Sequence, residues 1–172
     1  LALGPVANWS GKQWDAKRFA ELANRLTSSS GIMRGASVVI LGGPEERVQA
    51  EFVSAMIPAT QRIDLVGKVD LLTACAVLHQ CSLFVGNDSG LMHIAAASGV
   101  ATVGLFGPSR EEHYAPWGSR SSVVRTKLGY DELVGRPDYD HRTTDSLMGS
   151  LAVDDVEEAV IELWRRLGET IT

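Results

Sequence analysis

The stretch 81-CSLFVGNDSGLMHIAAASGVATVGLFGPS-109 decides how this chain folds. Ser82 to Val85 is a short apolar run suited to a buried strand, and Gly86-Asn87-Asp88-Ser89-Gly90 supplies turn residues. Leu91 to Ser98 is small and apolar enough for a buried helix, which Gly99 stops; Ala101 to Phe106 is a second strand-like run, closed by Gly107-Pro108. Two short apolar strands joined by one helix make a βαβ unit with parallel strands. Asp88, Ser89 and His93 then fall at its one polar corner, at the carboxyl end of a strand and the amino end of a helix. Open parallel sheets bind ligands at that edge, and the unpaired N–H groups of a helix start favour anions.

The chain on either side repeats the alternation. Leu1 to Ala7 reads as a first strand weakened by Gly4 and Pro5, and Asn8 to Lys12 as a loop. Asp15 is placed to cap a helix whose apolar positions Phe19, Leu22, Ala23 and Leu26 share one face. Ser37 to Leu41 is a strand, Gly42-Gly43-Pro44 a turn, and Glu45 to Met56 a helix with Val48, Phe52 and Val53 or Met56 at helical spacing, ended by Pro58. Arg62 to Val66 is a third strand, and Asp70 caps a helix from Leu71 to His79 with Leu71, Ala74, Cys75 and Leu78 on one side. The order predicts a parallel sheet with helices on both faces. Beyond Ser109 come one helical turn within 111–117, a strand at Ser121 to Arg125, and a polar, irregular stretch from 126 to 150. A final helix is signalled by Asp154 with Glu157 three residues on, and by the stripe Val153, Val156, Val160, Leu163 and Leu167.

With 172 residues, the chain is one domain long enough to need no disulfide or metal to fold. Its net charge of −5, with both signs interspersed, argues against a nucleic-acid partner. No apolar run is long enough to span a membrane, and Leu1 to Pro5 carries no basic start, so no secretory signal is expected. Cys75 and Cys81 read as reduced core residues of a cytoplasmic protein. The chain opens almost directly on a structured segment, as a piece of a longer protein would.

Several chemistries fall away on spacing. There is no G-x-G-x-x-G and no Gly-Lys-Ser/Thr loop, which removes the common NAD and ATP-hydrolysing folds. Asp88, Ser89 and His93 are not a hydrolase triad. A nucleophile elbow needs glycines two before and two after the serine, whereas Gly86 lies three before Ser89 and Gly90 one after. Ser89 reads instead as a helix N-cap, Gly90 as a point of close backbone approach, Asp88 on its own as a turn residue, and His93 on its own as a packed histidine. His79, His93, His113 and His141 are scattered, and Asp138, Asp140 and Asp145 near His141 have no metal-ligand spacing, so no metal is expected. Lys12 can reach a phosphate or stand free at the surface; Glu45 can accept from a pair of sugar hydroxyls or favour its helix start. Trp9, Trp14 and Trp117 read as core edges before stacking surfaces.

GNDSGLMHIAAASGVATVGLFGPS resembles the signature of the ADP-heptose-dependent lipopolysaccharide heptosyltransferases, through Asp88, Ser89, Gly90, His93, Ala95 to Ala97, Gly99 and Phe106 to Ser109. ANWSGKQWDAKRFAELANRL, LGGPEE, HYAPWG and VDDVEEAV are similar to further segments of the same family. The resemblance implies a Rossmann-like three-layer α/β/α domain, the donor-binding half of a GT-B glycosyltransferase, with the acceptor half outside this chain. It implies that Lys12 neutralises a diphosphate, Glu45 holds a ribose, Val69 lines the adenine, and Asp88, Ser89, Gly90 and His93 hold sugar and diphosphate. Asn8 and Trp9 are further candidates beside Lys12. It implies an ADP-linked nucleotide-sugar donor and inverting transfer to a lipid-linked core acceptor. Metal-independence and a catalytic base in the missing half follow from it too, as does a cytoplasmic place at the inner membrane. Asp15 and Ala101 stand where the family often has proline, and 126–150 lacks its frequent cysteines, which leaves the donor sugar open. Two other readings stay open: half of a GT-B enzyme using a UDP-sugar, as transferase or epimerase, and a non-catalytic interaction domain that keeps the fold.

Overall fold

The six expected strands line up side by side in a computed structural model that describes residues 1–137 and 139–168. They are β1 (Ala2–Gly4), β2 (Val38–Ile40), β3 (Arg62–Asp64), β4 (Leu83–Asn87), β5 (Ala101–Phe106) and β6 (Ser121–Arg125). All neighbours pair in parallel, in the order β3-β2-β1-β4-β5-β6. The side-chain period of two divides each strand between two cores. Leu3, Ile40, Leu83 and Val85 face one, with α1 (Ala16–Thr27), α2 (Arg47–Met56) and α7 (Val153–Arg166). Ala2, Val39, Leu41 and Phe84 face the other, with α3 (Leu71–His79) and α4 (Gly90–Ala97). The result is the three-layer α/β/α arrangement. Short helices α5 (Glu111–Tyr114) and α6 (Tyr130–Val134) lie outside these layers, the second within the otherwise irregular 126–150 stretch.

The caps at Asp15 and Asp70 form as the sequence predicts. Asp15 Oδ1 accepts from Lys17 N–H at 2.7 Å and Asp70 Oδ1 from Thr73 N–H at 2.7 Å. The backbone N–H of Thr73, then its hydroxyl, holds the Asp70 carboxyl below its ordinary range. At α7 the expected pair is displaced by two residues, to Ala152 and Asp155. Asp155 accepts from Ala152 N–H at 3.0 Å, while Asp154 and Glu157 reach across to Arg25 of α1 at 2.6 and 2.9 Å. The two carboxylates thus tie α7 to α1 instead of closing its first turn.

Other expectations are corrected. β1 ends at Gly4, because Pro5 has no N–H to continue the ladder. In α2 the buried residues are Ala50, Val53 and Ser54, while Val48 and Phe52 point outward at 71% and 62% exposure. A 3₁₀ turn at Pro44–Glu46 delays the start of this helix to Arg47, and its small residues, not the large ones, meet the sheet side. Leu71 is 64% exposed at the start of α3, and both cysteines are only partly buried. Trp117, at 90% exposure, is no core edge either.

Candidate functional site

β1 and β4 lie side by side at the centre of the sheet, with Leu3 opposite Val85 and Gly4 opposite Gly86. From β1 the chain moves outward through β2 to β3; from β4 it moves the other way, through β5 to β6. The loops leaving these two strands therefore diverge, opening a crevice at their carboxyl ends. Backbone and ring come very close just below it. A Cβ on Gly4 or Gly86 would stand 2.6 or 2.5 Å from the Phe84 ring, so only glycine lets the ring lie across both strand ends.

Asn87 builds the crevice wall, and the sequence reading missed it. It has no exposed surface; its Oδ1 accepts from Trp14 N–H at 3.1 Å and its Nδ2 donates to Pro5 O at 2.9 Å. One side chain thereby pins both ends of the loop that carries Lys12 to the end of β4. Trp14, buried edge-on to Phe19 at 5.0 Å, anchors the far side by donating from its indole N–H to Leu151 O at 2.9 Å. The only hint in the sequence was the place of Asn87 among turn residues, where an exposed Asx turn is the ordinary reading.

Lys12 and Asp88, 76 residues apart, are brought to 2.6 Å. Asp88 is almost wholly buried, so it is no free turn residue; Lys12 is one-quarter exposed and sits in a 3₁₀ turn where a loop was expected. The Lys12 ammonium also stands 5.8 Å over the Tyr114 ring. Ser89 occupies the N-cap position of α4 without capping it. Its own carbonyl takes the Met92 N–H at 3.1 Å, the donor that a capping hydroxyl would use, and Ser89 Oγ is left buried with no partner among the described residues. Ser109 Oγ, buried just past the end of β5, is likewise unpartnered. Gly90 faces open space, and His93, one turn into α4, is exposed, not packed.

One cavity reaches the start of α4 and another reaches Lys12. The first, of about 420 Å³, is mostly apolar and runs between the β2 exit and the starts of α3 and α4, lined by Leu41, Val69, Leu71, Ala74, Gly90 and Leu91. Its rim is Gly43 and Pro44, and Glu46 lines it where Glu45 does not. Glu46 Oε2 accepts from Gly43 N–H at 2.7 Å, whereas Glu45 is exposed in the same turn. The second cavity, of about 640 Å³, is polar and is lined by Asn8, Trp9, Ser10, Lys12, His141 and Arg142. Both volumes suit small-molecule ligands. Among the described residues no three His, Cys, Asp or Glu side chains come together as a metal set, and Asp138 lies outside those residues. No described helix is long and apolar enough to cross a membrane.

A convergent cation, an open helix start, an unspent hydroxyl and an apolar slot can hold an anionic group attached to a flat or apolar one. The profile of glycosyltransferase family 9 (heptosyltransferase) matches residues 1–139. Lipopolysaccharide heptosyltransferase 2 of Salmonella typhimurium is 32% identical over 125 residues, which are 71% of this chain and 34% of that protein. The structure of the E. coli ADP-heptose lipopolysaccharide heptosyltransferase II superposes with a TM-score of 0.77 at 24% identity, over 97% of this chain and 46% of that one. E. coli heptosyltransferase WaaC, solved with ADP-2-deoxy-2-fluoro heptose, superposes with a TM-score of 0.65 at 20% identity, over 94% of this chain and 42% of that one. The chain thus spans between a third and a half of the length of these relatives.

Proposed function

The chain belongs to glycosyltransferase family 9, and from that premise we propose that residues 1–172 are the donor-binding half of a heptosyltransferase-like GT-B enzyme of lipopolysaccharide core assembly. The observation that carries the reading is the Lys12–Asp88 pair, held at 2.6 Å at the switch point of the sheet with the start of α4 beside it. In this reading the base of an ADP-linked sugar enters the apolar cavity against Val69. Glu45, or its cavity-lining neighbour Glu46, accepts from the ribose hydroxyls. The diphosphate lies between Lys12 and the first N–H groups of α4 at Gly90, and Ser89 Oγ gains the partner it lacks. Asp88 and His93 face the sugar, with Asn8 and Trp9 beyond.

The chemistry asked of this half is leaving-group stabilisation. The bond from the anomeric carbon to the outer phosphate breaks, and its electron pair stays on the phosphate oxygen. Lys12 and the helix start offset that growing negative charge. An acceptor hydroxyl attacks the opposite face of the sugar carbon, and its proton goes to a base in the half outside this chain, so the isolated chain binds donor without turning it over. The lipid-linked acceptor is engaged by that other half, on the cytoplasmic side of the inner membrane.

Calorimetry of the chain with ADP and ADP-sugars against UDP and UDP-sugars tests the reading. Adenine preference, with weaker binding by Lys12→Ala, is the expected result; at 100 times its dissociation constant ADP should add about 2.7 kcal/mol of stability. Preference for uridine would turn the reading to a UDP-sugar enzyme. No nucleotide effect on melting would leave a non-catalytic domain with the same fold.

A further inference from the structure

The polar 126–150 stretch does not hang free of the site. Residues 139–147 lie back across the Asn8–Gln13 loop through contacts between residues more than 130 positions apart. Trp9 Nε1 donates to His141 O at 2.9 Å, Ser10 Oγ to Thr144 O at 3.1 Å, Ser146 Oγ to Gln13 O at 2.5 Å, and Leu147 N–H to Gly11 O at 3.0 Å. The Trp9 ring meets Tyr139 edge-on at 6.4 Å between centroids. The strap is also turned on itself: Asp140 Oδ1 accepts from Arg142 N–H at 2.9 Å, and Asp140 O from the Thr144 hydroxyl at 2.6 Å. Asp140 therefore spends that carboxylate oxygen on the backbone of Arg142, not on its guanidinium. Held this way, Arg142 and His141 line the same polar cavity as Lys12.

Charge decides what that lining is for. Lys12 is already paired with a buried carboxylate, so part of its charge is spent before an anion arrives. A nucleoside diphosphate carries at least two negative charges, and no carboxylate of the described residues lines the polar cavity. The cation lining that cavity with no carboxylate partner among the described residues is Arg142. A guanidinium also presents paired donors that match two phosphate oxygens, which an ammonium cannot do. We propose that Arg142, carried on the 139–147 strap, is a second phosphate-binding residue that takes the outer, sugar-bearing phosphate of the donor alongside Lys12. This rests on the donor-binding reading and adds to it a residue from the part of the chain that looked least structured.

The test is calorimetry of the full chain with ADP, AMP and adenosine, in the wild type, Arg142→Ala, Arg142→Lys and Lys12→Ala. Arg142→Ala should weaken ADP about tenfold while leaving AMP, adenosine and the melting temperature unchanged. Arg142→Lys should recover part of the loss. Unchanged ADP affinity in Arg142→Ala, with Lys12→Ala impaired, overturns the role of Arg142 and leaves the donor-binding reading standing. An equal loss for AMP and ADP also overturns it, since the outer phosphate would not be what Arg142 reads. A wild-type chain that binds no ADP sinks both.

Discussion

Removing the Asn87 side chain should disconnect the site from the sheet, and two substitutions separate the reasons. In Asn87→Ala, Trp14 N–H and Pro5 C=O each lose a partner in a place without water. An unsatisfied buried group costs about 1–3 kcal/mol, so the pair should cost about 2–6 kcal/mol, with no particular dependence on pH. Asn87→Asp keeps the shape and one acceptor for Trp14 N–H, but the second oxygen now faces the Pro5 carbonyl. It can be accommodated only if it carries a proton to donate. Burial and that carbonyl both disfavour the carboxylate, so the new group should have a raised folded-state pKa. A folded state that holds a proton more tightly than the unfolded chain is most stable at low pH and loses stability as pH rises. From about pH 4, near the unfolded value for an aspartate, the loss should run at up to ~1.4 kcal/mol per pH unit until the folded group ionises. Urea unfolding followed by tryptophan fluorescence at pH 4.5, 6 and 7.5, each variant referred to wild type at the same pH, measures both effects. Asn87→Asp should lie near wild type at the lowest pH and fall to or below Asn87→Ala at the highest. An Asn87→Ala variant within 0.5 kcal/mol of wild type, or parallel pH profiles for the two variants, would refute the bracket.

Three further outcomes follow from particular contacts. Gly86→Ala drives a methyl to 2.5 Å from the Phe84 ring and should cost about 1–3 kcal/mol, read as a lower urea midpoint with unchanged slope. Val69→Trp should fill the apolar cavity and weaken ADP at least tenfold while leaving inorganic pyrophosphate binding alone; equal losses for both ligands would mean that this cavity is not the base site. Glu111 of α5 is partly buried, which alone would raise its pKa, but its hydrogen bond and ion pair to Arg125 of β6 outweigh burial and hold the carboxyl below its ordinary range. The stabilisation is present above about pH 4.3, the unfolded value, and is lost as pH falls through the lowered folded value. Glu111→Gln should therefore cost up to ~1 kcal/mol at pH 7 and match wild type by pH 2–3 in thermal melts.

What the sequence made legible was local, and what it hid depended on distance along the chain. The six strands, the caps at Asp15 and Asp70 and the polar corner at Asp88 to His93 could be read because each depends on neighbours a few residues away. Val48 and Phe52 misled because two opposite stripes of α2 both fit helical spacing, and only packing against the rest of the core selects between them. Ser89 misled because its own carbonyl claims the helix donor its hydroxyl would cap. Asn87 and the 139–147 strap were out of reach for one reason. Their meaning lies in groups 73 to 136 positions away, and nothing in a stretch of turn and polar residues records which distant carbonyl or indole it will meet. The long-range contacts are also the ones that make the site. Lys12 lies in the loop after β1 and Asp88 just past the end of β4, but their 2.6 Å meeting is set by the sheet order, which places those two strands side by side. In the proposed reading, the placement of Lys12 therefore rests on Asn87, Trp14 and Trp9, whose hydrogen bonds tie its loop to the end of β4, to Leu151 and to the 139–147 strap.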